Sequence, residues 1–336
     1  MIISDQTIDY KDKIEAAYNA RISALLNMMP SYCASYEKAI QSKNKIKTRM
    51  EYLQDIHNFF MFIISTNPNI ESAKDITATY LENLKEEDFE NYLEWLTYYK
   101  FNEKNEAEKH KRNSAASKKR KLMALRSLFN YLYSNKITAL NPAINIEVPK
   151  IKAKKDSEYF TLNPAGRIKI LETIESQYKN AINTLEGKDK EKRSSREIKK
   201  PYLILRDRAI VYLFLGTGLR VSELCALNCA DILLSDKNNI IIKTTDDKTK
   251  SPTSLCPESE TVDALLYYLN YARDYLEPDS DNFDALFISS RHKRITPRAV
   301  ELMIKSYANK ALGINNNINP KTLRATYNLE NQPCPQ

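Results

Sequence analysis

Glycine is scarce in this chain, with 5 in 336 residues, and histidine is scarcer still, with 3. No Walker A loop is visible, so a nucleotide cradled by a glycine-rich turn is not expected. Neither a His/Cys/Asp metal cluster nor the order of a Ser-His-Asp triad can be read from the sequence. The 5 cysteines, Cys33, Cys225, Cys229, Cys256 and Cys334, are odd in number and scattered, which excludes a secreted disulfide framework. Cys225 and Cys229 have no second pair at zinc spacing, and helical spacing would place them as buried thiols on one face. Long apolar runs are also missing. The richest stretch, "FFMFII", is far too short to span a bilayer, and the N-terminus lacks the basic-then-apolar build of a signal peptide. These absences lead us to expect an intracellular, cytoplasmic protein in a reducing compartment, with no metal and no membrane partner.

What is present is positive charge. The formal net charge is +8 and the isoelectric point is near 9.0, which favours a polyanionic partner without defining a reaction. Apolar residues make up 42% and charged residues 28%, an ordinary balance for a globular chain whose length suggests two domains.

Helical periodicity dominates the first half. Apolar positions Ile8, Ile14, Ala17, Ile22, Leu25 and Leu26 set one helix, and "KTRMEYLQDIHNFFMFII" sets a second that Pro68 ends. Leu84, Phe89, Tyr92, Leu93 and Leu96 set a third, with Trp95 as core; Leu122, Leu125, Leu128, Phe129 and Leu132 set a fourth. Four or five amphipathic helices without a strand describe an all-α domain over 1–149. The proline- and lysine-rich segment 150–159 reads as a basic linker, and a second domain fills 160–336. Within it, 179–202 reads as a charged insertion, a loop or frayed helix end. "LILRDRAIVYLFLGTG" reads as a glycine-ended helix, 238–257 as a small hairpin or three-stranded sheet, and the remainder as helices.

Two groups of residues carry chemistry. Between 104 and 126, nine lysines and arginines face two glutamates. Lys111, Arg112, Lys118, Lys119, Arg120 and Lys121 lie around a helix N-terminus, where cations oppose the helix dipole. They serve either as phosphate-backbone contacts or as a solvated charged face. The second group begins with "LFLGTGLRVSELCAL", where Gly216 and Gly218 precede Arg220. Glycines permit a tight turn and close approach. A cation in the following first helical turn calls for an anion against it, with Glu223 placed to orient the guanidinium. "DDKTKSP" puts Lys248 and Lys250 at a hairpin tip, and "NPKTLRATY" puts Lys321 and Arg324 on one helical face. Together they would neutralise a phosphoryl group as its charge grows in a transition state. His57, His110 and His292 have no partner motif, and Tyr267, Tyr268, Tyr271 and Tyr275 read as the core and surface of one helix.

The order "TGLRVSELCAL", hairpin lysine, "NPKTLRATY" resembles the tyrosine recombinase (phage integrase) family, and "NSAASKKRKLMALRSLFNYLYSNKITALNPA" is similar to the last helix of that family's core-binding domain. The likeness covers roughly 45–328. It implies a mainly α fold: a helical DNA-binding core-binding domain, then a mixed α+β catalytic domain, mostly helical with a small antiparallel sheet. It implies site-specific DNA recombination or integration on double-stranded DNA, with a tyrosine attacking the scissile phosphate and no metal or other cofactor. By the same resemblance, Arg220 and Arg324 clamp that phosphate. Lys248, with Lys250 as the alternative, protonates the leaving 5′-oxygen, and Lys321 stands where the family usually has histidine.

One departure is plain. After Arg324 only "ATYNLENQPCPQ" follows, without the family's histidine/tryptophan element or its tyrosine, and Tyr327 rides the same helix as Arg324. The expectation is therefore a catalytic domain incomplete at its C-terminus that binds DNA without cutting it. Oligomers on DNA would be weakened, and the alternative is a non-catalytic accessory protein or a mobile-element remnant.

Overall fold

A computed structural model describes residues 10–98, 100–101, 109–110, 113–146, 161–186, 195–234, 240–245, 252–314 and 316–331. The chain divides into two compact units, Met1–Ala153 and Lys154–Gln336. The basic linker segment, Lys111, Arg112, Lys248, Lys250 and Cys334 lie outside the described residues.

The first unit is built from α1 (Tyr10–Leu26), α2 (Ser31–Ile40), α3 (Ile46–Thr66), a short α4 (Ala78–Glu82), α5 (Glu86–Tyr98) and α6 (Ala115–Ser134). Thr77 Oγ1 caps α4 by accepting the Tyr80 N–H at 3.1 Å, and Ser114 Oγ caps α6 by accepting that of Ser117 at 3.2 Å, each satisfying a donor the helix leaves free. The apolar stripes of α3, α5 and α6 meet in an aromatic core. Phe59 stands edge-on to Tyr92 at 4.9 Å between centroids and stacks on Phe89 at 5.7 Å, while Phe89 meets Phe129 at 5.6 Å. Two features depart from the sequence reading. Helix α2 follows Pro30 and buries Cys33, Tyr36 and Ile40. A two-residue antiparallel ladder, β1 (Lys100–Phe101) with β2 (Lys109–His110), stands where no strand is expected.

The second unit contains α7 (Pro164–Glu186), α8 (Ser195–Thr217) and α9 (Val221–Ala226). The strands β3 (Ile232–Leu234), β4 (Ile240–Thr245) and β5 (Pro252–Leu255) follow, then α10 (Ser259–Tyr271), α11 (Pro297–Leu312) and α12 (Pro320–Glu330). The strands form an antiparallel sheet in the order β3-β4-β5, with Ile242 opposite both Ile232 and Leu255. Ile240 and Ile242 are buried while Lys243 is exposed, the alternation expected of a one-sided strand. The fold is thus mainly α, and the second unit carries a small three-stranded antiparallel sheet.

Helices reach into the charged insertion from both sides, α7 to Glu186 and α8 from Ser195 with Pro201 inside it. These two ends are helical rather than a loop, while residues 187–194 lie outside the described residues. Lys, Arg and Glu are good helix formers, so a charged run need not be a loop. The cysteine pair is corrected as well. Helix α9 ends at Ala226, and Cys229 begins a separate 3-10 turn, so Cys225 and Cys229 share no helical face. Among the described residues, no helix is long and apolar enough to cross a membrane.

Candidate phosphate-binding site

The apolar run that ends α8 delivers the chain to a tight turn, and the two glycines of that turn do different work. Gly216 is still helical, and a Cβ there would overlap Thr261 Oγ1 on α10, so its role is close helix packing. Gly218 has φ +60° and donates its N–H to Phe214 O at 3.2 Å. A Cβ at Gly218 would overlap the Tyr327 ring and come within 3.1 Å of Asn328 Oδ1. Among the described glycines, here alone both conformation and space demand glycine.

Arg220 follows as the N-cap of α9, with extended φ −71° and ψ 150°. Its N–H donates to Glu223 Oε2 at 2.7 Å, and its Nη1 pairs with Glu223 Oε1. Helix α12 brings the second arginine to the same carboxylate. Asn319 Oδ1 accepts the N–H groups of Lys321 at 2.9 Å and Thr322 at 3.4 Å, and Pro320 starts the helix. Thr322, Leu323 and Thr326 are buried, and Thr326 Oγ1 accepts the Leu162 N–H at 2.9 Å. Arg324 on the opposite side reaches Glu223 Oε2 with Nη1 at 3.9 Å. The Arg220 and Arg324 side chains are 29% and 30% exposed, whereas Glu223 is only 11% exposed. The carboxylate is therefore the inward counter-ion, and both arginine side chains are partly exposed. Two such forks, fixed at one point, form an arrangement that can take up a doubly charged oxyanion.

Lys321 is exposed on the first turn of α12, three residues before Arg324. Lys248 and Lys250 fall on the segment between Thr245 and Pro252, which pair across β4 and β5. Tyr327 is half-buried, with its ring against the Gly218 turn. Beside the site, Cys225 is buried in the core, and burial pushes its thiol up to about 12.

In the first unit the basic residues separate. Lys119 is exposed, and Lys118 donates from Nζ to Thr97 Oγ1 at 2.6 Å. Arg120 and Lys121 both turn to Asp55, at 2.5 Å and 2.9 Å, and Lys121 is buried. Lys121 thus does not present its charge at the surface: a carboxylate within the apolar face of α3 draws it inward. The signal was Asp55 itself, set between Leu53, Ile56 and Phe59 in "LQDIHNFF". Burial depresses the His57 pKa. His292 contacts Lys199 and Glu277, and no group of His, Cys, Asp and Glu among the described residues could hold a metal. Tyr268 is core, while Tyr271 and Tyr275 are surface.

Comparison with known proteins gives these features a family. A model of the phage integrase family matches residues 146–334. Tyrosine recombinase XerC of Caldanaerobacter subterraneus is 28% identical over 280 residues, covering 81% of this chain and 65% of the relative. XerC of Thermodesulfovibrio yellowstonii is 31% identical over 210 residues, 62% of this chain and 60% of the relative. The chain therefore spans less than two thirds of the length of these curated relatives. XerD of Oceanobacillus iheyensis is 27% identical over 84% of this chain and 79% of its own. In fold, the chain is similar to XerH recombinase bound to difH in a pre-cleavage complex, with TM-score 0.57 and 18% identity over 97% of this chain and 80% of that one. It is also similar to a lambda integrase dimer bound to a core site, with TM-score 0.53 and 17% identity over 88% and 87% of the two chains. With the family match running from the end of the first unit through Arg220 and Arg324, this chain belongs to the phage integrase family.

Proposed function

We propose that this protein acts in site-specific DNA recombination, binding double-stranded DNA and clamping one backbone phosphate between Arg220 and Arg324. The observation that carries this reading is the single carboxylate, Glu223, touched by guanidinium groups from two different elements. Glu223 holds two like charges side by side before any phosphate arrives, so little reorganisation is needed when one binds. A phosphate seated on their exposed side gains charge-assisted hydrogen bonds, and these strengthen as negative charge builds on its oxygens during in-line displacement. In this reading Lys248, or Lys250 as the alternative, supplies the proton to the leaving oxygen, and Lys321 contacts the phosphate from the rim of α12. Lys111, Arg112 and the exposed Lys119 contact the DNA backbone, while Lys118 and Arg120 help to position α6. We place the protein in the bacterial cytoplasm, on the nucleoid, as a mobile-element recombinase that assembles as a homo-oligomer on paired sites.

A second reading, DNA binding without cleavage, is favoured by one observation. Tyr327, the tyrosine next to the clamp on α12, has its ring packed against Gly218, which suits a structural part better than a nucleophilic one. A nicked suicide substrate separates the two readings. A covalent protein–DNA adduct that disappears in Arg220→Ala and Arg324→Ala establishes strand cleavage. DNA binding without an adduct establishes the second reading. Loss of a clamp donor is expected to lower any cleavage rate by roughly 100- to 1,000-fold. Unchanged cleavage and unchanged binding in both variants would exclude the clamp.

A further inference from the structure

Away from the arginine pair, the first unit contains a groove of about 480 Å3 between the C-terminal half of α3, α4 and α5. Phe59, Phe62, Tyr80 and Trp95 form its floor and walls, and Asp88 and Glu94 stand at its rim. Phe59 and Phe62 are buried, and the Phe62 and Trp95 rings lie 5.8 Å apart at 59°, giving two differently inclined aromatic faces. Asn67 Nδ2 donates to the Tyr80 hydroxyl at 3.4 Å and holds that ring at the edge. The Asp88 carboxylate caps its own helix, accepting the Lys85 N–H at 2.7 Å. Glu94 is exposed and free of that duty.

The charge of α5 runs against that of the chain, and the charged residues lining the groove are Asp88 and Glu94. The protein carries +8 overall, yet α5 reads EEDFENYLEWLTY, with carboxylates at Glu86, Glu87, Asp88, Glu90 and Glu94 and no lysine or arginine. Carboxylates beside aromatic faces repel phosphate and anionic lipid, and they attract a cation that can lie over a ring. The volume exceeds what one guanidinium or ammonium group fills and accommodates flanking apolar side chains as well. We propose that this groove docks an arginine or lysine side chain carried on an apolar segment of a partner protein, with the cation against Glu94 and Asp88 and its stem over Trp95 and Phe62.

Trp95 is the single tryptophan of the chain, so indole emission from the intact protein reports directly on occupancy. The probe is a short amidated peptide alternating leucine pairs with arginine–lysine pairs, and its control carries glutamate in place of both cations. The expected result is a saturable change in Trp95 emission with the cationic peptide and none with the acidic one. Glu94→Lys, at an exposed position that leaves the core intact, should weaken that binding roughly tenfold, which corresponds to about 1.4 kcal/mol. Circular dichroism of the variant checks that the helices persist. Three results would overturn the proposal: no saturable change, an equal response to both peptides, or a response indifferent to Glu94→Lys. Emission that moves with protein concentration alone would also overturn it, by assigning the groove to a second copy of this chain.

Discussion

At Gly218 two constraints meet on one residue: a left-handed φ of +60° and the ring of Tyr327 where a Cβ would stand. They are separable by experiment. The backbone conformation costs an alanine about 1–2 kcal/mol whatever surrounds it, and the ring adds a steric cost only while it is present. Gly218→Ala should therefore destabilise the protein by about 2 kcal/mol or more in denaturant unfolding. The same substitution in a Tyr327→Ala background should cost less, closer to 1 kcal/mol, because only the backbone term remains. Equal costs in the two backgrounds would show that the ring does not press on the turn. Since Arg324 lies one helical turn before Tyr327, the contact also sets how α12 meets the Arg220 turn. Gly216 makes no such demand of its backbone, and its small size serves the approach of α8 to Thr261.

Between elements, α3 and α6 are joined through charge as well as through apolar packing. Asp55, 1% exposed, takes Lys121, 9% exposed, and Arg120, 44% exposed. Removing the carboxylate leaves a lysine charge buried without its partner, so Asp55→Ala should cost about 3–5 kcal/mol. Lys121→Met keeps Arg120 against Asp55 and fills similar volume, and about 1 kcal/mol is expected in the same thermal or denaturant measurement. Lys119→Ala, on the exposed side of the same helix, should leave stability within about 0.5 kcal/mol. A stability loss from Lys119→Ala equal to that from Asp55→Ala would refute this division of roles.

The same elements show what a sequence makes legible. Helices α3 and α6 declare themselves by apolar residues at helical spacing, because each has one face against a core. Helix α2 is short, and its buried apolar positions are Cys33, Tyr36 and Ile40. The fourth buried residue is the charged Glu37, so there are too few apolar positions to define a period. Arg220 and Arg324 stand out because a glycine-bearing turn and an Asn-Pro helix start mark them locally. That Glu223 serves both arginines depends on how α12 packs near α9, and no local spacing carries that information. The inward turn of Lys121 is half legible: Asp55 stands out in the apolar face of α3, but which cation answers it depends on how α6 packs there.

At the scale of the whole chain, the clustered buried apolar residues among those described form two sets. One runs from Ile22 to Ile146 and the other from Leu162 to Leu323, matching the division into Met1–Ala153 and Lys154–Gln336. The aromatic cluster of Phe59, Phe89, Tyr92 and Phe129 belongs wholly to the first, and Phe214, Tyr268 and Phe287 belong wholly to the second. Among the described residues, each unit thus has a buried apolar core of its own. A unit of about 150 residues buries roughly 70% of the surface that its unfolded chain exposes, enough for independent if modest stability. Residues 1–153 and 154–336, produced separately, should therefore each show a helical circular dichroism spectrum and a cooperative thermal transition. The Arg220–Glu223–Arg324 cluster lies entirely within the second unit, so the proposed clamp predicts phosphate binding by the isolated 154–336 fragment and its loss in Arg324→Ala. A fragment that stays unfolded alone but folds on mixing with the other would show that the two cores depend on each other, and would refute independent folding.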